Sequence, residues 1–232
     1  MRKIFITGGS GMLGKKLVEY LSSGNEVCAP TSRECNILDS NITMEKIKQF
    51  NPEIVIHLAA FVDTFGCELD IEKALDINVV GTINVVRACF GIPCKFVYFS
   101  SEYIFRGDRG NYTVEDRLDP INIYGKTKSA SEYIVSILPN YQIIRAPFIK
   151  KTHPEAFVDQ YQSRYFLDDT NFLEKIVNNI LNNDNKIVHI SSERMSLYEL
   201  YKKKGIDVSP IRMTDEQLKI IPMDASLKDN SI

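Results

Sequence analysis

The sequence of 232 residues has no large excess of charge of one sign. Its 28 lysine and arginine residues nearly balance 30 aspartate and glutamate residues, which gives a formal net charge of −2 at pH 7. A chain without a basic surplus has no electrostatic reason to bind nucleic acid or an anionic membrane surface. We therefore expect neither nucleic acid nor a membrane among its partners.

Long apolar runs are also missing. The apolar start of the chain runs straight into a glycine turn and is too short for a secretion signal, and no later run approaches the length of a membrane span. The 5 cysteines lack metal-ligand spacing and the 3 histidines are scattered, so we predict buried thiols and no metal site. These absences predict a cytoplasmic protein.

Composition and patterning indicate the fold class. Hydrophobic residues make up 44% of the chain and charged residues 25%, as in a globular protein with one large domain. Continuous apolar runs, typical of parallel strands covered on both faces, alternate with segments of helical periodicity. This alternation predicts an α/β fold, a Rossmann-type doubly wound parallel sheet. The predicted strands are 3–7, 26–29, 54–59, 95–100 and 142–146, and the predicted helices are 12–22, 44–50, 71–89 and 123–138.

The polar segment 149–168 interrupts this alternation and is predicted to be irregular. Beyond it, helical periodicity returns at 171–181, followed by a strand pattern at 186–190 and a short helix at 197–204. We interpret residues 1–148 as a dinucleotide-binding domain. Residues 149–232 form a small C-terminal substrate lobe that is interleaved with it.

A glycine-rich turn with the sequence Thr-Gly-Gly-Ser-Gly-Met-Leu-Gly joins the first predicted strand to the first helix. Gly8, Gly11 and Gly14 permit a tight turn, a close approach of the backbone to a pyrophosphate, and close packing of the helix on the sheet. Backbone N–H groups around Met12 and Leu13 then face the phosphates from a helix N-terminus, whose dipole favours an anion. The turn therefore predicts a dinucleotide cofactor.

The end of the second predicted strand bears on which cofactor binds. It reads Pro-Thr-Ser-Arg and lacks the acidic residue that holds the ribose 2′-hydroxyl of NAD. Ser32 and Arg33 suit a 2′-phosphate better, although Arg33 can also be a solvated loop charge. NADP(H) is therefore favoured, and NAD(H) stays open. Asp39, which follows the apolar pair Ile37 and Leu38, is a candidate contact for the adenine amino group.

Tyr124 and Lys128 are one helical turn apart in a predicted helix. A free tyrosine is almost wholly protonated at pH 7, and a lysine four residues later favours the phenolate. A hydroxyl at the end of the fourth strand, Ser100 or Ser101, can share a substrate oxygen with Tyr124. Because ligands bind outside the carboxyl ends of parallel strands, these groups and the glycine turn converge. Together they predict a nicotinamide-dependent enzyme.

These residues resemble the extended short-chain dehydrogenase/reductase superfamily, and more narrowly its dTDP-4-dehydrorhamnose reductase branch. The resemblance rests on the glycine turn and on residues 57–60, Asn78, 100–105, 120–128 and 222–227. The segment Pro-Ile-Asn-Ile-Tyr-Gly-Lys-Thr-Lys is close to identical with the branch pattern. The similarity spans nearly the whole chain.

The resemblance also implies a substrate lobe that is abbreviated in this chain. Relatives insert a loop and a helix after the position of Phe148, whereas here Asp159 and Gln160 follow almost at once. The motifs and the resemblance together assign catalysis to Ser101, Tyr124 and Lys128, and substrate contacts to Ser101, Glu102 and Phe148. The cofactor-binding residues are Gly8, Gly11, Met12, Leu13, Gly14, Ser32, Arg33, Ile37, Leu38, Asp39, Ala59, Ala60, Phe61, Asn78, Phe99, Tyr124 and Lys128.

The activity that the resemblance implies is NAD(P)H-dependent reduction of a keto group on a nucleotide-linked deoxysugar, with Tyr124 as the general acid. Two alternatives stay open: a non-catalytic NADP-binding regulatory subunit, and a nucleotide-sugar epimerase of the same superfamily. A pure binder has no need of Ser101, Tyr124 and Lys128 together, so the complete set favours the enzyme. Relatives often pair through their long helices, which leaves a homodimer or a partner subunit open.

Overall fold

The computed structural model of the chain describes residues 1–149 and 154–232. The strands of this part of the chain are β1 (Lys3–Thr7), β2 (Glu26–Cys28), β3 (Ile54–His57), β4 (Lys95–Ser100), β5 (Tyr141–Arg145), β6 (Phe148–Ile149), β7 (Glu155–Phe157), β8 (Tyr161–Gln162), β9 (Tyr165–Phe166), β10 (Ile187–His189), β11 (Met195–Ser196) and β12 (Ser209–Ile211). Its α-helices are α1 (Met12–Ser22), α2 (Ser40–Phe50), α3 (Thr64–Leu69), α4 (Ile71–Leu75), α5 (Gly81–Ala88), α6 (Ile123–Val135), α7 (Thr170–Asn182), α8 (Leu197–Lys203) and α9 (Asp215–Leu218).

Six parallel strands form the main sheet in the order β10-β5-β4-β3-β1-β2. From β1 the chain first adds β2 on one side and then returns to add β3 on the other, which leaves a switch point between β1 and β3. Ligands of such sheets bind outside the carboxyl ends of the strands at this point. The predicted doubly wound α/β fold is confirmed.

Helices cover both faces of this sheet. On one face, Leu17 of α1 and Phe172 and Ile176 of α7 pack against the strands. On the other, Ile47 of α2 and Val85 of α5 do so. Strands enclosed in this way are apolar along their whole length, which explains the continuous runs in the sequence.

Several predicted boundaries shift for local reasons. The helix predicted at 44–50 begins at Ser40, because the Asp39 carboxylate accepts hydrogen bonds from the N–H groups of Asn41 and Ile42. The helix predicted at 71–89 is interrupted by a π-helical turn at Asp76–Val80, between α4 and α5. Such single π turns are frequent at functional sites.

The second half of the chain contributes both to the main sheet and to a smaller lobe. Helix α7 and strand β10 extend the main sheet and its apolar layer. The pairs β6–β9, β7–β12 and β8–β11 build a smaller lobe, so the segment predicted to be irregular contains short strands. Residues 150–153 of that segment lie outside the described part of the chain. The division at residue 148 stays a prediction.

In the two described ranges, no helix has both the length and the apolar content needed to cross a membrane.

A buried ion pair joins α6 to the sheet. Arg145 of β5 donates to both carboxylate oxygens of Glu132, at 3.0 Å from Nε and 2.7 Å from Nη2, and both side chains are at most 4% exposed. The Nη1 atom of Arg145 lies 3.1 Å from His189 Nε2. Burial and then the charge of Arg145 lower the pKa of His189 to about 4. The imidazole is therefore neutral at physiological pH and adds no charge to the pair.

We predict that Arg145→Met lowers the free energy of unfolding by about 3–5 kcal/mol, because it leaves the Glu132 carboxylate buried without its partner. Urea denaturation at pH 7 measures this loss. Arg106→Met is the matched control, since Arg106 pairs with Asp119 on the exposed surface and its loss should change stability little. Equal effects of the two substitutions would contradict this interpretation of the buried pair.

Candidate active site

A cleft of about 550 Å³ opens at the carboxyl ends of the main-sheet strands. It brings together twelve of the predicted site residues, namely Gly8, Gly11, Met12, Leu13, Gly14, Ala60, Phe99, Ser101, Glu102, Tyr124, Lys128 and Phe148. Ser100, the alternative to Ser101 as the hydroxyl beside Tyr124, also lines it. The other lining residues were not predicted as site residues and are Leu58, Val62, Thr64, Tyr103, Ala146, Pro147 and Arg164. The predicted residues that do not line it are Ser32, Arg33, Ile37, Leu38, Asp39, Ala59, Phe61 and Asn78.

The glycine turn has the shape that a pyrophosphate needs. Gly8 has φ of +71°, and a Cβ atom there would lie 2.6 Å from the Ala59 nitrogen. A Cβ atom at Gly14 would collide with the carbonyl oxygen of Gly8, so α1 packs directly on the turn. No side chain caps the first N–H groups of α1, which begins at Met12. These N–H groups at the wall of the cleft fit an anionic phosphate.

Asn78 acts on the cleft from a distance. Its Oδ1 accepts from the N–H of Phe61 at 2.7 Å, and its Nδ2 donates to the Phe61 carbonyl at 3.1 Å and to Thr127 Oγ1 at 2.9 Å. The buried carboxamide therefore joins the loop after β3 to α6, the helix that carries Tyr124 and Lys128. The cofactor contact of Asn78 stays a prediction.

The predicted adenine and ribose residues lie along the end of β2 and the loop to α2. Ser32 and Arg33 are exposed, and Ile37 is buried against the helix α5. Asp39, predicted to face the adenine, uses its carboxylate to cap α2. Next to Arg33, the Glu34 carboxylate accepts hydrogen bonds from the N–H and the hydroxyl of Thr31, at 2.8 Å and 2.9 Å.

The structure corrects the expected coupling of Tyr124 and Lys128. Burial, followed by the charge of Glu102, raises the pKa of Tyr124, and a hydrogen bond with Ser101 opposes this only in part. The Lys128 ammonium donates to the Phe99 carbonyl, at 2.6 Å. It therefore does not bring the pKa of the Tyr124 phenol close to 7. Tyr124 is therefore a phenol at neutral pH. A protonated tyrosine can donate a proton to an oxygen that gains charge.

The hydroxyl of Ser101 is committed to its neighbour. Ser101 Oγ donates to Glu102 Oε2 at 2.9 Å and accepts from the Tyr103 N–H at 3.2 Å. The same hydroxyl also hydrogen-bonds with Tyr124, so the two groups that were predicted to share a substrate oxygen lie next to each other.

Arg164, which the sequence analysis did not identify, reaches the cleft from the smaller lobe. Its Nε and Nη2 atoms lie 3.0 Å and 2.7 Å from Glu102 Oε1, and Nη2 lies 3.3 Å from Tyr103 Oη. The signal that could have revealed it is an arginine within the aromatic run 161–166, because a cation among packed rings is seldom free of a partner. The ion pair with Glu102 links the lobe to the end of β4.

We predict that Lys128 makes stability depend on pH. Burial lowers the pKa of Lys128 to about 7, and the charge of Glu132 only partly offsets this. Between about pH 7 and about pH 10 the unfolded chain binds more protons than the folded one, so this contribution to stability grows as the pH rises. The free energy of unfolding of Lys128→Met, measured relative to the unmutated protein, should fall over this range.

Denaturant titrations at several pH values test this. Lys126→Met, at an exposed position of the same helix, is the control and should follow the unmutated protein throughout. The free energies of unfolding of Lys128→Met and of the unmutated protein could also differ by the same amount at every pH. That result would show that the pKa of Lys128 is not lowered in the folded protein.

Comparison with known proteins identifies the family. The model of the RmlD substrate-binding domain matches residues 1–194. The dTDP-4-dehydrorhamnose reductase of Mycolicibacterium smegmatis is 32% identical over 152 residues, which cover 64% of this chain and 46% of the relative. The methionine adenosyltransferase 2 subunit beta of Rattus norvegicus is 31% identical over 142 residues, which cover 58% and 42%. The chain thus spans about half the length of the curated relatives it matches.

Solved structures agree on the fold. The dTDP-4-dehydrorhamnose reductase of Bacillus anthracis, crystallised in complex with NADP, superposes with a TM-score of 0.88 and 24% identity. The match covers 99% of this chain and 91% of that chain. Because the family model covers most of the chain, the chain belongs to the RmlD substrate-binding domain family.

Proposed function

We propose that the chain reduces a keto group on a nucleotide-linked deoxysugar with NADPH. The observation that carries this proposal is that one cleft unites the glycine turn with Ser101, Tyr124 and Lys128. The uncapped N-terminus of α1 and the glycines that a Cβ atom would fill suit a dinucleotide pyrophosphate. When bound there, NADPH supplies the hydride.

Tyr124 is the proposed general acid. Hydride addition to a carbonyl builds negative charge on its oxygen, and a phenol beside that oxygen can discharge it by donating a proton. Burial and the charge of Glu102 favour the protonated form of Tyr124, which suits reduction better than the reverse reaction. Lys128 lies on the same wall of the cleft, where it can hold the ribose hydroxyls of the cofactor.

The sugar would lie at the side of the cleft where the smaller lobe meets the sheet. Phe148, at the start of the lobe, and Arg164 line this side. Relatives named dTDP-4-dehydrorhamnose reductase support a nucleotide sugar as the substrate class. NADP(H) as the cofactor is supported by the exposed Arg33 and by the NADP complex of the Bacillus anthracis reductase, which has the same fold.

A regulatory subunit is the second candidate function. Relatives named methionine adenosyltransferase 2 subunit beta match the chain at 31% identity, and a cleft that only binds cofactor would serve such a role. The complete set of Ser101, Tyr124 and Lys128 favours catalysis. The third possibility is an epimerase of the same superfamily. An epimerase passes the hydride back to the sugar, so it would cause no net oxidation of NADPH.

We predict that the purified chain oxidises NADPH in the presence of a 4-keto-6-deoxy nucleotide sugar, and that Tyr124→Phe lowers kcat by about 10²- to 10⁴-fold, because general-acid catalysis is lost. Absorbance of NADPH, followed across a panel of such sugars, measures the rate. Tyr133→Phe is the control, since Tyr133 is an exposed tyrosine of the same helix. Binding of NADPH without turnover of any sugar would favour the regulatory subunit.

We predict that NADP(H) binds more tightly than NAD(H), and that Arg33→Ala narrows the preference by about tenfold or more. Loss of a charge-assisted contact to the 2′-phosphate costs about 1.5–3 kcal/mol. Calorimetric titration with both cofactors measures the ratio of dissociation constants. Arg87→Ala, at an exposed arginine of α5, should leave the ratio unchanged. Equal affinity of the unmutated protein for the two cofactors would contradict the assignment.

We also propose that the chain pairs with a second copy through α4 and α6, a partner subunit being the alternative. The end of α3, these two helices and the turn after α6 expose the apolar side chains of Leu69, Leu75, Tyr133 and Ile137. Sedimentation velocity should give the mass of a dimer, and Ile137→Lys should reduce it to that of a monomer. A monomer at every concentration tested would leave only the partner subunit.

A further inference from the structure

Helix α3 connects the wall of the cleft to the helix that carries Tyr124. Its first residue, Thr64, lines the cleft, and Glu68 follows one helical turn later on the same face of α3. Another face of this helix exposes Phe65 and Leu69. The reduction proposed above assigns no role to Glu68, which is partly buried against the start of α6.

Glu68 makes a short hydrogen bond to the first residue of α6. Its Oε1 accepts from the backbone N–H of Ile123 at 2.6 Å. The first N–H groups of a helix have no partner within the helix and form the positive end of its dipole, so a carboxylate is a favourable acceptor there. Hydrogen bonds to an ionised acceptor are also stronger than neutral ones. Because Ile123 immediately precedes Tyr124, this bond fixes the backbone next to the proposed general acid.

Two further contacts fix the same turn of α6 from other sides. Asn122 Oδ1 accepts from the N–H of Gly125 at 2.7 Å, and Asn122 Nδ2 donates to the Ile220 carbonyl at 2.7 Å. A Cβ atom at Gly125 would collide with the carbonyl oxygen of Tyr103, so this turn packs directly on the backbone that follows β4. Glu68 supplies the corresponding contact from α3.

We propose that Glu68 is a positioning residue for catalysis, which holds the first N–H of α6 and thereby sets the distance between the Tyr124 phenol and the substrate carbonyl. This inference rests on the proposed reductase function. A shift of the first turn of α6 moves the phenol with it, and a displacement of about 1 Å at a reacting group can cost about 10²-fold in rate. Glu68 does not line the cleft, so it acts through Tyr124.

The experiment compares Glu68→Leu, which cannot accept a hydrogen bond, with Glu68→Gln, which keeps an acceptor oxygen. With NADPH and the best sugar of the panel, Glu68→Leu should lower kcat by about 10- to 100-fold, the worth of a charge-assisted hydrogen bond. Glu68→Gln should restore most of this loss. The dissociation constant of NADPH, measured by calorimetric titration, should stay unchanged, because the glycine turn is untouched.

A Tyr124→Phe background separates positioning from a purely structural role. The phenol that Glu68 positions is already missing from this variant, so adding Glu68→Leu should lower its kcat little further. A general loosening of the fold would instead lower kcat by the same factor with and without the phenol.

Amide hydrogen exchange tests the contact itself without any measurement of activity. The N–H of Ile123 should exchange faster in Glu68→Leu than in the unmutated protein, because its acceptor is gone. Amides of α7, which packs on the other face of the main sheet, should exchange as before.

Glu72→Leu is the matched control, since Glu72 is an exposed glutamate of the neighbouring helix α4. It should leave kcat and the exchange of Ile123 unchanged. Thermal unfolding shows which variants are folded, and Glu68→Ala, which also removes the acceptor, is the second variant should Glu68→Leu fail to fold.

An active enzyme in which the folded variant without the Glu68 acceptor keeps its kcat would overturn this inference and leave the proposed function standing. An equal loss of kcat in the Tyr124→Phe background, or unchanged exchange of the Ile123 amide, would overturn it as well. An unmutated protein that reduces no sugar would overturn the proposed function, and this inference with it.

Discussion

Parallel pairing carries the chain in the same direction through all six strands of the main sheet, so every strand ends at one edge. The glycine turn after β1, the loop after β3 and the serine pair at the end of β4 therefore meet, although long stretches of sequence separate them. Helix α6 adds Tyr124 and Lys128 beside them. The cleft exists because of this constraint, and its chemistry depends on which side chains follow each strand.

Burial decides the charge states within the cleft. It raises the pKa of Tyr124 and lowers that of Lys128, which opposes the ionised form of each group. The charge of Glu102 further favours the phenol, and Arg164 compensates that charge from the other lobe. The result is a cleft in which the side chain of Tyr124 is a phenol at neutral pH, as the proposed role of general acid requires. Such a site is suited to reduction of a carbonyl.

The sequence predicted most of the fold and the centre of the site, and the reasons are local. Continuous apolar runs indicate strands that are covered on both faces. Spaced glycines indicate a turn where a Cβ atom has no room. Residues whose role depends on distant partners escaped prediction. The hydrogen bonds of the Asn78 carboxamide to Phe61 and Thr127 join segments that are far apart in the sequence, so the sequence did not predict them. Arg164 pairs with Glu102 only once the smaller lobe is packed against the end of β4, so the pair cannot be seen in the sequence.

The central claim is that this cleft transfers a hydride to a carbonyl, and isotope transfer tests it most directly. The chain would be incubated with NADPH that carries deuterium at the transferable position, together with each 4-keto-6-deoxy nucleotide sugar. Mass spectrometry and NMR of the sugar product would locate the label. We expect one deuterium at the former carbonyl carbon, and none with Tyr124→Phe over the same time. Tight binding of NADPH with no labelled sugar from any member of the panel would contradict the account.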